Sequence, residues 1–353
     1  MTHFASLRTN SLAISVGSGH PTRVMALIGA TTNRGYDSEI RKIEALTAAN
    51  HKPDIIADLS LAPEPTPLWK RIVAQTPFVA ASLPIYSVRR RRDKVDTLEL
   101  LERAIEQMEG GVGLLTIHPT PTLELIALSG SRLVPCTSRG GGIVIRDLLT
   151  RNASHDNVYR QIMPGLIECA LKTRTVLSLG ASFRSANIFD ANDDVQQAEI
   201  AAQKLLADDI VRRGVDVIIE SPGHARPRTI RQLGNQLRTI GYPIMPLGPI
   251  PTDIAIGNDH IAGSIGAVLL GLQGAAHILA AVTREEHTGG VPKLDSTLEA
   301  IACARIAAHI IDLDTREDMQ PDMDVAYERQ QHKTCIVGKI SRGCSRCGSV
   351  CPL

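Results

Sequence analysis

Eight short, continuously apolar runs separated by long amphipathic stretches constrain this chain more than any other feature. The runs are 24-VMALIG, 54-DIIADLS, 78-FVAASLPIY, 112-VGLLTIH, 175-TVLSLG, 216-DVIIES, 243-PIMPLG and 276-AHILAAV. Strands that are apolar without alternation suit a parallel sheet buried on both faces. Between them, residues 35–50, 94–109, 195–213, 227–240 and 296–313 repeat apolar side chains at the 3.6-residue spacing of amphipathic helices. The segment 96-DTLE reads as a helix start, and Gly110 and Gly111 as its stop. Strand–helix alternation over roughly 290 residues favours an α/β fold of the (β/α)8 TIM-barrel kind. An open doubly wound sheet is the rival. The expected organisation is a mobile N-terminal arm over 1–22, a barrel over 23–314, and a linker with a C-terminal cysteine-bearing segment over 315–353.

Composition removes several classes of function. With 38 Lys+Arg against 37 Asp+Glu, the chain lacks the broad positive surface that nucleic acid demands. One Trp, five Tyr and four Phe are too few for base-stacking platforms. No apolar run approaches the roughly 18 residues of a membrane span. The first residues, MTHFASLRTN, lack the basic-then-apolar layout of a signal peptide, so a cytoplasmic location is expected.

Polar residues fall where a barrel would use them. Asp58, Ser60, Tyr86, His118, Ser138, Arg139, Arg184, Glu220, His224 and His287 stand at or just past the ends of strand-like runs. Barrel strands direct their C-terminal ends to one mouth, where catalytic groups gather. Strand ends are polar for reasons of solvation alone, so the argument rests on the joint pattern. Glu220 and His224 flank a Pro-Gly turn in 220-ESPGH, and 283-TREEH ends on His287. Two histidines at strand ends suit one divalent metal completed by water or substrate, although a histidine is more often structural, as expected for His260 and His309. The run Arg89–Arg92 reads as a solvated loop or a means of steering an anion.

Cys344, Cys347 and Cys351 form C-x2-C-x3-C within the last ten residues. Three thiolates at this spacing can hold three corners of a 4Fe–4S cluster and leave one iron open for a small chelating molecule. A zinc knuckle completed by His332 or Cys335, or a redox-active pair, remains open on spacing alone. Cys136, Cys169 and Cys303 sit in apolar surroundings and read as packing residues.

Several of these segments together resemble one family: 54-DIIADLS, 82-SLPIY, 115-LTIH, 137-TSRGGGI, 188-IFDANDD, 219-IESPGH, 247-LGPIPTDIA, 258-NDHIAGSIGA, 283-TREEH, 307-AAHIIDL and the terminal cysteines. Their order and spacing resemble the phosphomethylpyrimidine synthases of thiamine biosynthesis and their relative hydroxybenzimidazole synthase. The resemblance spans about residues 24–314 and the tail. It implies a radical S-adenosylmethionine lyase that rearranges 5-aminoimidazole ribonucleotide to 4-amino-5-hydroxymethyl-2-methylpyrimidine phosphate, with hydroxybenzimidazole or another product as the alternative. A nucleotide-binding barrel without catalysis, its tail a zinc or redox device, is the alternative of another class. Position by position, the resemblance implies substrate contacts from Tyr86, His118, Ser138, Arg139, Gly140, Arg184 and Glu220, with Tyr86, His118 and Glu220 nearest the chemistry. It implies a divalent metal, zinc or iron, on His224 and His287, and a 4Fe–4S cluster on Cys344, Cys347 and Cys351. It further implies a flavodoxin- or ferredoxin-like electron donor and a homodimer in which one subunit's cluster segment serves its partner.

The sequence also departs from that family. Leu27 stands where the family usually has Asn, Ala57 where it has Met, Ala181 where it has Asp and Met245 where it has Tyr. The last cysteine spacing is one residue shorter than the usual C-x2-C-x4-C. Loss of polar groups from a pocket changes what it can recognise.

Overall fold

A computed structural model describes residues 3–9, 11–61, 67–151, 156–338 and 346–350. All eight apolar runs are parallel strands: β1 (Arg23–Ile28), β2 (Ile55–Asp58), β3 (Val79–Ser82), β4 (Leu114–Ile117), β5 (Val176–Leu179), β6 (Val217–His224), β7 (Ile244–Ile250) and β8 (Ile278–Ala281). They form one sheet in the order β7-β6-β5-β4-β3-β2-β1-β8. Across the remaining seam the His277 N–H donates to the Ile244 carbonyl at 2.9 Å, and the Ile244 N–H donates to His277 Nδ1 at 2.9 Å. The result is the expected (β/α)8 barrel. Strands buried along their whole length explain why the runs show no alternation.

The helices are α1 (Tyr36–Ala48), α2 (Leu68–Gln75), α3 (Thr97–Glu109), α4 (Leu123–Ser129), α5 (Arg139–Thr150), α6 (Val158–Thr173), α7 (Asp194–Arg212), α8 (Pro227–Ile240), α9 (Asp259–Gly271), α10 (Leu294–Thr315) and α11 (Gln320–His332). The five anticipated helices are α1, α3, α7, α8 and α10. Asp96 caps α3 through its own carboxylate, which accepts from the Leu98 and Glu99 N–H groups. Arg90–Arg91 and Lys94–Val95 pair as a small hairpin before α3, exposed except for the buried Val95. No helix among the described residues is long and apolar enough to cross a membrane.

The N-terminal arm is not the mobile extension expected from its sequence. Ala5–Arg8 and Ala13–Val16 pair antiparallel. Ala5, Leu7 and Val16 are buried in one cluster with Met25, Ile55, Val79, Leu114, Val176, Ile218 and Ile278. These partners lie at or near the beginnings of the barrel strands, so the hairpin plugs the end opposite the mouth. Its anchoring side chains are spaced two apart, the period of a strand lying on an apolar surface.

Candidate functional site

The strand ends do converge. His118 follows β4 directly and is buried. Its Nε2 lies 3.0 Å from Ser138 Oγ, which also accepts the Gly141 N–H at 3.0 Å as the N-cap of α5. The imidazole is seated between two glycines. A Cβ on Gly140 would stand 2.4 Å from its Cε1, and one on Gly180 would stand 2.6 Å from its Nε2. Burial, and secondarily the charge of Arg184, pushes the His118 pKa down to about 3, so the ring is neutral near pH 7. Its Nδ1 is buried with no protein partner.

Ser138, Arg139 and Gly140 thus begin a twelve-residue helix whose first N–H groups open beside His118. The Arg139 guanidinium lies over the Tyr86 ring, 5.6 Å from its centroid. Tyr86 ends the turn after β3, and burial raises its phenol above the ordinary range. Arg184 donates from Nη1 to the Ala181 carbonyl at 2.9 Å, and the Ala181 N–H donates to Glu220 Oε2 at 3.2 Å. Burial raises the Glu220 pKa against the opposing charge of Arg184. Two cationic side chains, a helix N-terminus, a neutral imidazole and a buried carboxyl therefore share one end of the barrel. Of the departures from the family pattern, Leu27, Ala57 and Met245 belong to or pack against the apolar cluster inside the barrel, so the floor of the site is apolar.

His224 ends β6 and His287 lies in the turn after β8, yet their Nε2 atoms are 3.2 Å apart. Each ring is oriented from behind, His224 Nδ1 by Asp253 Oδ1 at 2.8 Å and His287 Nδ1 by Asp259 Oδ1 at 2.7 Å. An ionised carboxylate can only accept, so each Nδ1 donates its proton there, and with both rings neutral each Nε2 presents a lone pair to the other. Two facing lone pairs are unfavourable without a cation between them. Two nitrogens bound tetrahedrally to one zinc would stand about 3.3–3.4 Å apart, close to the observed separation. The residues therefore fit a divalent metal, although no third His, Cys, Asp or Glu joins them among the described residues. Close backbone packing fixes His224, whose N–H donates to the Ser185 carbonyl at 2.9 Å. Gly223, at φ +90°, permits this approach, since a Cβ there would lie 2.3 Å from the same carbonyl oxygen.

Asp253, Asp259 and Glu199 are the site residues that the sequence reading missed. Glu199 accepts from Thr120 Oγ1 at 2.6 Å, from the Ser182 N–H at 2.7 Å and from the Phe183 N–H at 2.7 Å, and so shapes the loop that bears Arg184. Burial pushes its carboxyl pKa up to about 7. The available signal was placement: Asp253 and Asp259 follow the seventh strand in a turn-rich segment, where a ligand's hydrogen-bonding partner would be expected. His260 and His309, read as structural, contact Glu299 and Asp322.

Of the terminal cysteines, Cys347 heads a short turn that includes Gly348 at φ +51°. Cys344 and Cys351 lie outside the described residues. A set of three thiol donors fits an iron–sulfur cluster with one open iron.

Comparison with known proteins places this architecture. The radical SAM ThiC family matches residues 3–337, ending before the cysteine motif. A phosphomethylpyrimidine synthase of Methanopyrus kandleri is 31% identical over 87% of this chain and 73% of its own length. One of Pyrobaculum aerophilum is 29% identical over 96% and 85%, and one of Syntrophus aciditrophicus is 30% identical over 98% and 87%. Among solved structures, a dihydropteroate synthase of Xanthomonas albilineans superposes with a TM-score of 0.51 at 12% identity, covering 87% of this chain and 97% of that one, which speaks for the barrel fold alone.

Proposed function

The chain belongs to the radical SAM ThiC family, enzymes that use S-adenosylmethionine and a 4Fe–4S cluster, and from that premise we propose that it is a phosphomethylpyrimidine synthase acting on 5-aminoimidazole ribonucleotide. The observation that carries the reading is the convergence of the α5 N-terminus, Arg139, Arg184 and the His224–His287 pair at one mouth.

In this reading the substrate phosphate lies against the Arg139 and Gly140 N–H groups at the start of α5 and the Arg139 guanidinium. The unpartnered Nδ1 of neutral His118 offers a further hydrogen bond beside Gly140. Arg184 sits between the phosphate and Glu220, whose carboxyl is held more readily protonated than a free glutamate by burial, against the opposing charge of Arg184. Tyr86 closes one wall and fixes Arg139. His224 and His287 would hold a divalent metal, zinc or iron, which supplies a positive centre for the substrate's polar groups. Cys344, Cys347 and Cys351 would hold the cluster, which when bound supplies the electron for reductive cleavage of S-adenosylmethionine.

A flavodoxin- or ferredoxin-like donor, a cytoplasmic setting and a homodimer complete the proposal. The homodimer is supported by α11, which buries none of its residues against its own chain. The deciding experiment is anaerobic reconstitution with iron and sulfide, followed by incubation with reductant, S-adenosylmethionine and 5-aminoimidazole ribonucleotide. The expected result is a brown protein with about four irons per chain, giving 5′-deoxyadenosine and phosphomethylpyrimidine by mass spectrometry. A different imidazole-derived product would move the chain to the hydroxybenzimidazole-type alternative. Substrate binding without 5′-deoxyadenosine would overturn the enzymatic reading.

A further inference from the structure

Lys42 is the only lysine that is buried among the described residues, at 1% exposure, and it lies on α1 rather than in the site described above. Its Nζ is 2.6 Å from Glu39 Oε1 and 2.7 Å from the Pro292 carbonyl oxygen. The other oxygen of Glu39 accepts the Gly29 N–H at 3.0 Å, just past the end of β1. One buried ion pair thus ties β1, α1 and the segment after β8 into a single unit. Its sequence separation is large, since Pro292 lies 250 residues from Lys42.

Stability does not account for this pair. Removing two charges from water costs free energy that their attraction at best offsets, and apolar residues of similar volume usually serve as well. What the pair does hold is the far end of a loop whose other bonds are its own turns over 283–290 and the Asp259 contact to His287. Residues 286–291 are all exposed, and Val291, the apolar side chain in that stretch, is 62% exposed. Gly289, at φ +73°, and Gly290 loosen the chain between His287 and Pro292. Arg284 and Glu299 pair on the side before His287. On the side after it, the bond from the Lys42 ammonium to the Pro292 carbonyl fixes the chain ahead of α10.

We propose that Lys42 and Glu39 are positioning residues that pin the 284–292 loop so that His287 meets His224. The pair works by rigidity: a loop held at both ends spends most of its time with the two Nε2 atoms in register, whereas a released one must be ordered each time a ligand binds. The inference rests on the metal-site reading above for its consequence, but the pinning itself does not depend on any metal.

The test uses the full chain with Glu39→Gln/Lys42→Met, which removes both charges together, alongside Lys42→Met alone. Amide hydrogen exchange without metal reads the pinning, and Co2+ titration, followed by the visible bands of the bound ion, reads its effect on the histidine pair. In the double variant, exchange in 284–292 should rise about tenfold or more while β8 and α1 stay protected, and Co2+ should bind about tenfold more weakly. A purely structural role would alter thermal stability and leave both readouts unchanged, and that result overturns the proposal. If the parent protein fails to bind Co2+ through His224 and His287, the metal reading falls, and unchanged or raised loop exchange still decides the latch. Should Lys42→Met alone not fold, the charge-neutral double variant carries the decision.

Discussion

His224 and His287 bring their Nε2 atoms to 3.2 Å across 63 residues of sequence, each held from behind by a carboxylate. Neither aspartate faces the space between the rings, so their contribution is orientation and basicity. Asp259→Asn should therefore weaken Zn2+ or Co2+ binding by about 10–100-fold with little change in fold, because a neutral amide oxygen accepts the Nδ1 proton more weakly and lacks the charge that makes the ring basic. Asp253→Asn should do the same, with some added loosening, because Asp253 Oδ2 also accepts the Ile188 N–H at 3.0 Å. Metal titration alongside circular dichroism checks both; undiminished affinity in Asp259→Asn would remove the carboxylate from the site.

The seat of His118 gives a second prediction. Gly180→Ala places a methyl 2.6 Å from Nε2, and the buried ring has little room to retreat. The ring should swing away from Ser138, breaking their contact and opening the N-cap of α5. Activity should fall by at least about 100-fold, the usual scale for a lost transition-state contact, while the barrel persists. Steady-state turnover, with the far-ultraviolet spectrum as control, tests this; full activity would mean that His118 does not need its present place.

These two sites show how far the sequence was legible. The eight strands were readable because each is buried on both faces and so carries an unbroken apolar run. The convergence of the polar strand ends followed from topology, since a barrel gathers its C-terminal ends whatever the spacing along the chain. Short helices were not readable: α2 has eight residues and α4 seven, too few for a clear period. Helix α6 carries Pro164 in its interior and Gly165 after it, both of which argue locally against a helix that tertiary packing nevertheless holds. Asp253 and Asp259 were passed over because an acidic loop residue looks solvated until its partner is placed opposite it. The arm misled for the related reason that four-residue strands become recognisable only against the surface they cover.

His277 closes the barrel seam as a neutral ring and makes stability depend on pH. Burial pushes its pKa down to about 4 from the model-peptide value of 6.5. Because the folded value is depressed, the unfolded chain binds the extra proton between these limits. The contribution is fully present above pH 6.5 and is lost as pH falls toward 4. At pH 5 the loss from this group is about 2 kcal/mol. His277→Gln keeps an acceptor for the Ile244 N–H and cannot titrate. It should therefore lose less stability than the parent between pH 7.5 and pH 5, as read from urea midpoints; equal losses would exonerate this ring.

The arm provides the last test, and it separates a plug from an appendage. Leu7 is fully buried among side chains from the beginnings of the barrel strands, while Phe4 and Leu12 of the same hairpin are largely exposed. An appendage would tolerate truncation at all three positions alike. A plug predicts that Leu7→Ala costs about 2–5 kcal/mol through lost burial and the cavity left at the barrel floor. Leu12→Ala should stay within about 0.5 kcal/mol, as surface substitutions do. The loss at Leu7 should appear in the single unfolding transition of the whole barrel, because the cavity would open against strands rather than within the arm. A separate early transition for the arm, with the main one unmoved, would show that the barrel closes without it.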